Sequence, residues 1–227
     1  MQTLDLTKLG LREVNKALHA QATDTNQTSW TIENAKGSHA IACGLDAPIE
    51  VTVKGSTGYY CGGMNQHATI NIDGSAGPGT GENIMSGKIV IEGDASQYLG
   101  ATGHGGLIVV KGNASSRCGI SMKGVNIVVQ GNIGHMSAFM GQSGNLVVCG
   151  DAGEALGDSC YEARFFVRGS VKSLGADCEK KEMRPEHIEI LTGLLAEAGI
   201  DADPADFTRY GSARNLYNFD VDNAGAY

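Results

Sequence analysis

Seven glycines, Gly55, Gly74, Gly93, Gly112, Gly131, Gly150 and Gly169, stand nineteen residues apart without insertion or deletion. Two residues before each comes Val53, Ile72, Ile91, Val110, Val129, Val148 or Val167, and four before comes Val51, Ile70, Ile89, Ile108, Ile127, Leu146 or Phe165. Apolar, mostly β-branched positions two apart and ended by glycine read as strands with one buried face. The residue just before each glycine, Lys54, Asp73, Glu92, Lys111, Gln130, Cys149 or Arg168, is mostly polar and points outward. A fixed period of this kind means one unit per repeat, each burying its apolar face against the next.

The length of the period selects the architecture. Nineteen residues at roughly 3.3 Å each trace a loop of up to about 60 Å, the perimeter of a one-coil solenoid. A propeller blade needs about 40 residues, and the Leu and Asn spacing of leucine-rich repeats is missing. Parallel connections are overwhelmingly right-handed. The expected fold is therefore all-β: a right-handed parallel β-helix of about seven 19-residue coils, roughly 30 Å tall at about 4.8 Å per coil, with terminal helical caps.

Composition fits many turns. The chain has 33 Gly but only 4 Pro in 227 residues, which excludes collagen and suits a fold needing positive φ at its corners. The repeat glycines are expected to supply that conformation. Just after them come Ser56, Ser75, Asp94, Asn113, Asn132, Asp151 and Ser170, short polar side chains able to hydrogen-bond the local backbone and fix a turn. A second corner falls seven residues after the repeat glycine, at Gly62, Gly81, Gly100, Gly119, Ala138, Gly157 and Ala176.

Beyond the repeat, residues 1–36 are expected to form an N-terminal helical cap or arm, with Leu11, Val14 and Leu18 on one face of a helix over 7–22. The coils occupy 37–178. Residues 179–227 make a C-terminal helical cap and tail, in which Pro185 opens a helix carrying Ile188, Leu191, Leu195 and Ala198 and Gly199 closes it. Tyr210, Leu216, Tyr217 and Phe219 hold much of the aromatic content of the last segment. Caps are needed because a solenoid otherwise exposes raw strand edges; the other reading is an arm docking on a partner.

The net charge of −8 argues against nucleic acid or an anionic membrane as a partner. Met1 to Lys8 show no basic region and no hydrophobic run, and no stretch is long and apolar enough to span a bilayer, so a cytoplasmic location is expected. Six cysteines, at 43, 61, 118, 149, 160 and 178, form no CxxC pair, and in that compartment they read as reduced thiols used as small hydrophobes. Cys61 and Cys118 share a phase but lie three coils apart, about 14 Å, beyond disulfide reach. Cys160 and Cys178 can neighbour one another on adjacent coils.

Apparent motifs dissolve into the repeat. Ser75 to Glu82 (SAGPGTGE) follows a strand but leads into the next strand at Ile89, whereas a dinucleotide site requires a helix there. His104 and His135 stand at different phases, eleven and four after the repeat glycine, and no metal-binding spacing such as HExxH occurs. Met64, Met85, Met122, Met136 and Met140 fall in the irregular stretch of their coils. They pack inside wide turns or offer a soft surface to a partner. Met64, Met85, His104, Met122, His135 and Met140 are the candidate partner or passage contacts. No nucleophile elbow is present, and Gln2 stands where an N-terminal-nucleophile amidotransferase has cysteine. No catalytic, cofactor-binding or metal residues are assigned.

Gly93-Asp-Ala-Ser-Gln-Tyr-Leu-Gly100 and His104-Gly-Gly106, followed by Leu-Ile-Val-Val-Lys-Gly112, resemble the GXGXG domain over roughly residues 37–178. That domain closes the large chain of glutamate synthase and recurs in one of the chains of formylmethanofuran dehydrogenase. The whole chain resembles the stand-alone GXGXG subunits of the N-methylglutamate synthase family. The segments carrying this likeness are Gly58 to Met64, Ala114 to Gly124, Gly134 to Met140, Ser173 to Cys178 and Met183 to His187. The resemblance implies a non-catalytic subunit that holds an amidotransferase-like chain and an FMN-binding chain in register around a passage. The complex would convert methylamine and glutamate to N-methylglutamate and ammonia. FMN and an iron–sulfur cluster are implied in the partner, none in this chain. Two alternatives stand beside it: the GXGXG chain of a formylmethanofuran dehydrogenase, and a β-helix enzyme acting alone through a groove lined by acids and bases.

Overall fold

The computed structural model describes residues 2–21 and 26–215. Seven strands, β3 (Glu50–Lys54), β4 (Thr69–Asp73), β5 (Lys88–Ile91), β6 (Leu107–Val110), β7 (Lys123–Val129), β8 (Ser143–Val148) and β9 (Arg164–Val167), succeed one another as the repeat predicts. Each pairs in parallel with the next at an offset of nineteen, from Val51 opposite Ile70 to Leu146 opposite Phe165. The two apolar phases meet inside, where Ile70, Ile89, Ile108 and Ile127 are wholly buried in one continuous core. Isolated bridges from Ala76 through Ala95, Ala114, Ile133 and Ala152 to Val171 form a second parallel wall. The chain is thus an all-β solenoid of about seven turns, with only two α-helices among the described residues.

The ladder begins earlier than the repeat. Within 1–36, β1 (Gln2–Asp5) pairs in parallel with β2 (Ser29–Glu33), and β2 pairs with β3. The helix between them, α1 (Leu11–His19), is shorter than the 7–22 expected. It buries Val14 and Leu18 at the N-terminal end of the core. Asn15 caps the first turn edge, its Nδ2 donating to Ala40 O at 2.8 Å and its Oδ1 accepting from Ala42 N at 2.9 Å. At the far end β10 (Cys178–Lys181) and β11 (Thr208–Ser212) form an antiparallel ribbon, with β11 laid against β9. The final edge, CEKK, carries the charge that discourages further strand addition.

The C-terminal helix α2 (Pro185–Ala198) begins and ends as expected, with Gly199 left-handed at φ 66°. Its position corrects the expectation of a terminal cap. It lies on the outer flank of the sheet, where Leu191, Leu194, Leu195 and Ala198 form a second core with Val109, Val128, Val147, Cys149 and Phe166. The signal was in the outward phase three before the repeat glycine. It runs Thr52, Asn71, then Val90, Val109, Val128, Val147 and Phe166, so one stretch of the outer face is apolar and must be covered. Lys88 Nζ donates to Glu197 O at 2.8 Å and Lys111 Nζ to Ala198 O at 2.7 Å, pairing the carbonyls left open at the helix end. Leu216, Tyr217 and Phe219 lie outside the described residues.

Two further expectations are corrected. Of the seven repeat glycines only Gly55 has positive φ. The others are glycine because coils touch there: a Cβ on Gly112 would meet Asp94 Oδ1 at 2.4 Å and Gly93 O at 2.7 Å. The polar residues just after them do not fix their own turns; each but the last, Ser170, accepts from the next coil. Asn113 N donates to Asp94 Oδ1 at 2.7 Å, Asn132 N to Asn113 Oδ1 at 2.9 Å, Asp151 N to Asn132 Oδ1 at 2.7 Å and Ser170 N to Asp151 Oδ1 at 2.7 Å. Positive φ belongs to the second corner, at Gly62, Gly81, Gly100, Gly119, Ala138 and Gly157. In the last coil Leu156 bridges Leu174 over eighteen residues, and the one positive φ of that turn is at Asp177, eighteen after Ser159.

Candidate functional site

From the coil of Gly55 to that of Gly150, each turns through a face in which alternate residues have positive φ: Tyr60, Gly62 and Met64 in one coil, Tyr98, Gly100 and Thr102 in another, and Met136, Ala138 and Met140 further along. Such conformations cost non-glycine residues free energy and persist only where the surroundings over-determine them. Here both neighbouring coils hold the backbone. Tyr60 N donates to Pro78 O at 2.9 Å, Gly62 N to Ile41 O at 2.9 Å and Met64 N to Glu82 O at 2.8 Å, so alternate N–H groups point to opposite neighbours. Side chains presented by this face sit on a rigid frame.

The face collects most of the large exposed apolar side chains among the described residues. Tyr59, Tyr60, Met64, Met85 and Met140 are 50%, 52%, 55%, 46% and 39% exposed; outside the face only Leu9 and Ile188 match them among the described residues. His39 stacks on Tyr59 with centroids 4.5 Å apart, and Arg117 lies over the Tyr98 ring at 5.9 Å. Scattered apolar residues are ordinary on a surface. Several aromatic and methionine side chains on one rigid face have the character of an interface.

The six candidate contacts do not all share it alike. Met64 and Met140 stand at one phase, nine after the repeat glycine, separated along that row by Asn83, Thr102 and Ser121. Met85 and His104 are successive members of the row eleven after it, and both are exposed. His135 is exposed on the opposite margin, four after its glycine. Met122 is corrected: it is wholly buried in the main core and reaches no surface. Tyr59 and Tyr60 were missed, although their phases, four and five after Gly55, are readable from the repeat.

The thiols are inward-facing or constrained. Cys61, Cys118, Cys149 and Cys160 are buried, and all six cysteines are free. Burial pushes Cys61 and Cys118 up to about 12. Cys178 is raised first by its hydrogen bond with Cys160 and then by burial, which makes these two the neighbours that coil geometry allows. Since the thiolate is the reactive form, native protein at pH 8 should react slowly with an aromatic disulfide reagent, and denatured protein should release all six thiols at once. A fast native phase of two or more thiols would contradict this packing. Among the described residues no three His, Cys, Asp or Glu side chains gather as they would around a metal ion, and no helix is long and apolar enough to cross a membrane.

The chain is 64% identical over 228 residues to Protein GlxC of Rhizobium meliloti (strain 1021), and the match covers 100% of both chains. No family model matches the chain, and no solved structure does.

Proposed function

The chain belongs to the family of Protein GlxC, and on that premise we propose that it is a non-catalytic scaffold subunit of a glutamate-synthase-like complex, of the N-methylglutamate synthase kind. It holds an amidotransferase-like chain and an FMN-binding chain with its iron–sulfur cluster in register, beside a passage for ammonia or methylamine. The complex joins methylamine to glutamate, giving N-methylglutamate and ammonia. The likeness of the coil segments to the GXGXG domain supports the reading. The observation that carries it is the rigid turn face with Tyr59, Tyr60, Met64 and Met85 exposed at its N-terminal end.

A solitary enzyme using a groove of acids and bases is disfavoured by the same coils. Asp94 and Asp151, the acids nearest to forming a shared row, accept backbone N–H groups of the next coil at 2.7 Å. These carboxylates are engaged in stacking. The Asp151 carboxyl is held below its ordinary value, first by the Ser170 backbone N–H and then by the Ser170 hydroxyl.

Tagged protein purified from cells grown on methylamine should carry an amidotransferase-like chain and a yellow flavoprotein, identified by mass spectrometry. Tyr60→Glu combined with Met64→Glu should abolish that co-purification while leaving the thermal midpoint unchanged, because both side chains are about half exposed. Elution of the unaltered protein alone overturns the proposal. A molybdenum or tungsten protein in place of the flavoprotein transfers the reading to the formylmethanofuran dehydrogenase type.

A further inference from the structure

On the outer flank, beyond the N-terminus of α2, an open cavity of about 770 Å³ is bounded by β9, β10, β11 and the first turn of the helix. Its lining is polar, with basic side chains outnumbering acidic six to four, in a chain whose net charge is −8.

The strand register brings this charge together. Lys181 of β10 lies directly opposite Arg209 of β11, and like charges directly opposite destabilise an antiparallel pair. Arg209 is opposite Phe166 of β9, so Arg164, two residues before Phe166, stands diagonally from it on the same outer face. Lys181 is relieved by Glu179 at 2.6 Å. Arg209 has no carboxylate partner among the described residues, its Nε donating only to the backbone Glu182 O at 2.9 Å. The Arg164 side chain has no hydrogen bond or ion pair among the described residues, and Asn145 Oδ1, beside it in the register, is buried and unpaired. Arg184 enters from the helix start, 3.4 Å and 3.7 Å from Glu182 and Glu186.

His187 adds no positive charge. Its Nδ1 accepts from Arg184 N at 3.2 Å. Burial, and after it Arg209, holds its pKa below the ordinary value. The cavity floor is left open by Gly211, whose φ is not positive and whose added Cβ would meet nothing nearer than 3.6 Å. Neither backbone nor packing demands glycine there.

We propose that this cleft is a binding site for a small oxyanion, a carboxylate or phosphate group held between Arg164, Arg184 and Arg209 beside the first turn of α2. Guanidinium groups match such ions in bidentate geometry, and the positive end of the α2 dipole lies beside them. The site is distinct from the turn face and does not depend on what docks there.

The test titrates the full chain, at low ionic strength, with inorganic phosphate and separately with glutarate, followed by calorimetry. Saturable binding of one ion per chain is expected, weakened roughly tenfold or more by Arg164→Gln or Arg209→Gln, as loss of a charge-assisted pair implies. Without added anion, either variant should melt at or above the unaltered protein, since a like-charge contact is relieved. With phosphate, only the unaltered protein should gain stability. Gly211→Ser, which adds atoms to the open floor, should weaken binding as well. Absence of saturable binding overturns the proposal, and so does equal binding by the unaltered chain and both arginine variants.

Discussion

Gly112→Val is expected to unfold the stack of coils rather than loosen one turn. Even the first added atom would sit 2.4 Å from Asp94 Oδ1 and 2.7 Å from Gly93 O, well inside van der Waals contact. Relief by local movement is blocked because Gly112 N donates to Gly93 O at 3.1 Å and Gly131 N to Gly112 O at 2.9 Å. Pushing the coils apart would break these bonds and the Asp94 to Asn113 link together. Overpacking in a close-fitted interior costs about 1–3 kcal/mol when side chains can yield; here backbone must move, so the expected loss is about 3 kcal/mol or more. Solenoids lose stability at repeat interfaces in a coupled way, and a single midpoint well below that of the unaltered protein should result. Gly193→Ala is the internal control: the added methyl meets nothing within 4 Å in an exposed helical position, and should stabilise by up to about 1 kcal/mol. Equal midpoints for Gly112→Val and the unaltered protein would refute close stacking as the reason for glycine.

The second large effect is expected on the flank. Leu191→Glu places a carboxylate where the leucine is wholly buried against the outer face of the sheet. Glutamate and leucine have similar helix propensity, so the helix itself is not weakened. Losing the apolar burial costs about 2 kcal/mol, and burying an unpaired charge costs several more. The cheaper outcome is undocking of α2. That would expose Val109, Val128, Val147 and Phe166 while the inner core, a separate cluster, stays closed. Strong binding of a hydrophobic dye with β-type circular dichroism retained is the expected signature. Global unfolding in this variant would mean that the two cores are one cooperative unit.

Much of this molecule was readable because the coil repeats without slippage. Strand positions, the inward phases, and the start and stop of α2 follow from residue spacing and from Pro185 and Gly199. Where α2 lies was not read. Its apolar stripe says that something is covered, and only the outward valines from Val90 to Val147 say what. The repeat glycines and the polar residues after them were assigned to turns, since a single coil considered alone supplies no neighbour to touch. Their true partners are nineteen residues away. The turn face was read in part. The methionines of the irregular stretch point to it as a group, whereas Met122 differs from Met140 by one position in phase, enough to turn it from the surface into the core. Tyr59 and Tyr60 carried no repeated signal, because no other coil has tyrosine at both positions.

Helix α2 has a consequence for how many coils can lie between β5 and β9. At about 1.5 Å per residue its 14 residues extend roughly 21 Å, and the four spacings from β9 back to β5 measure roughly 19 Å at about 4.8 Å each. Its start is tied to the last strands and its end to Lys88 and Lys111. The helix therefore acts as a gauge laid along the stack. Loss or duplication of one nineteen-residue unit between β5 and β9 would leave every surviving coil in register, yet the gauge would miss its lysines by a full step. The number of coils between β5 and β9, which nothing within a single repeat limits, is matched from outside by the length of this one helix.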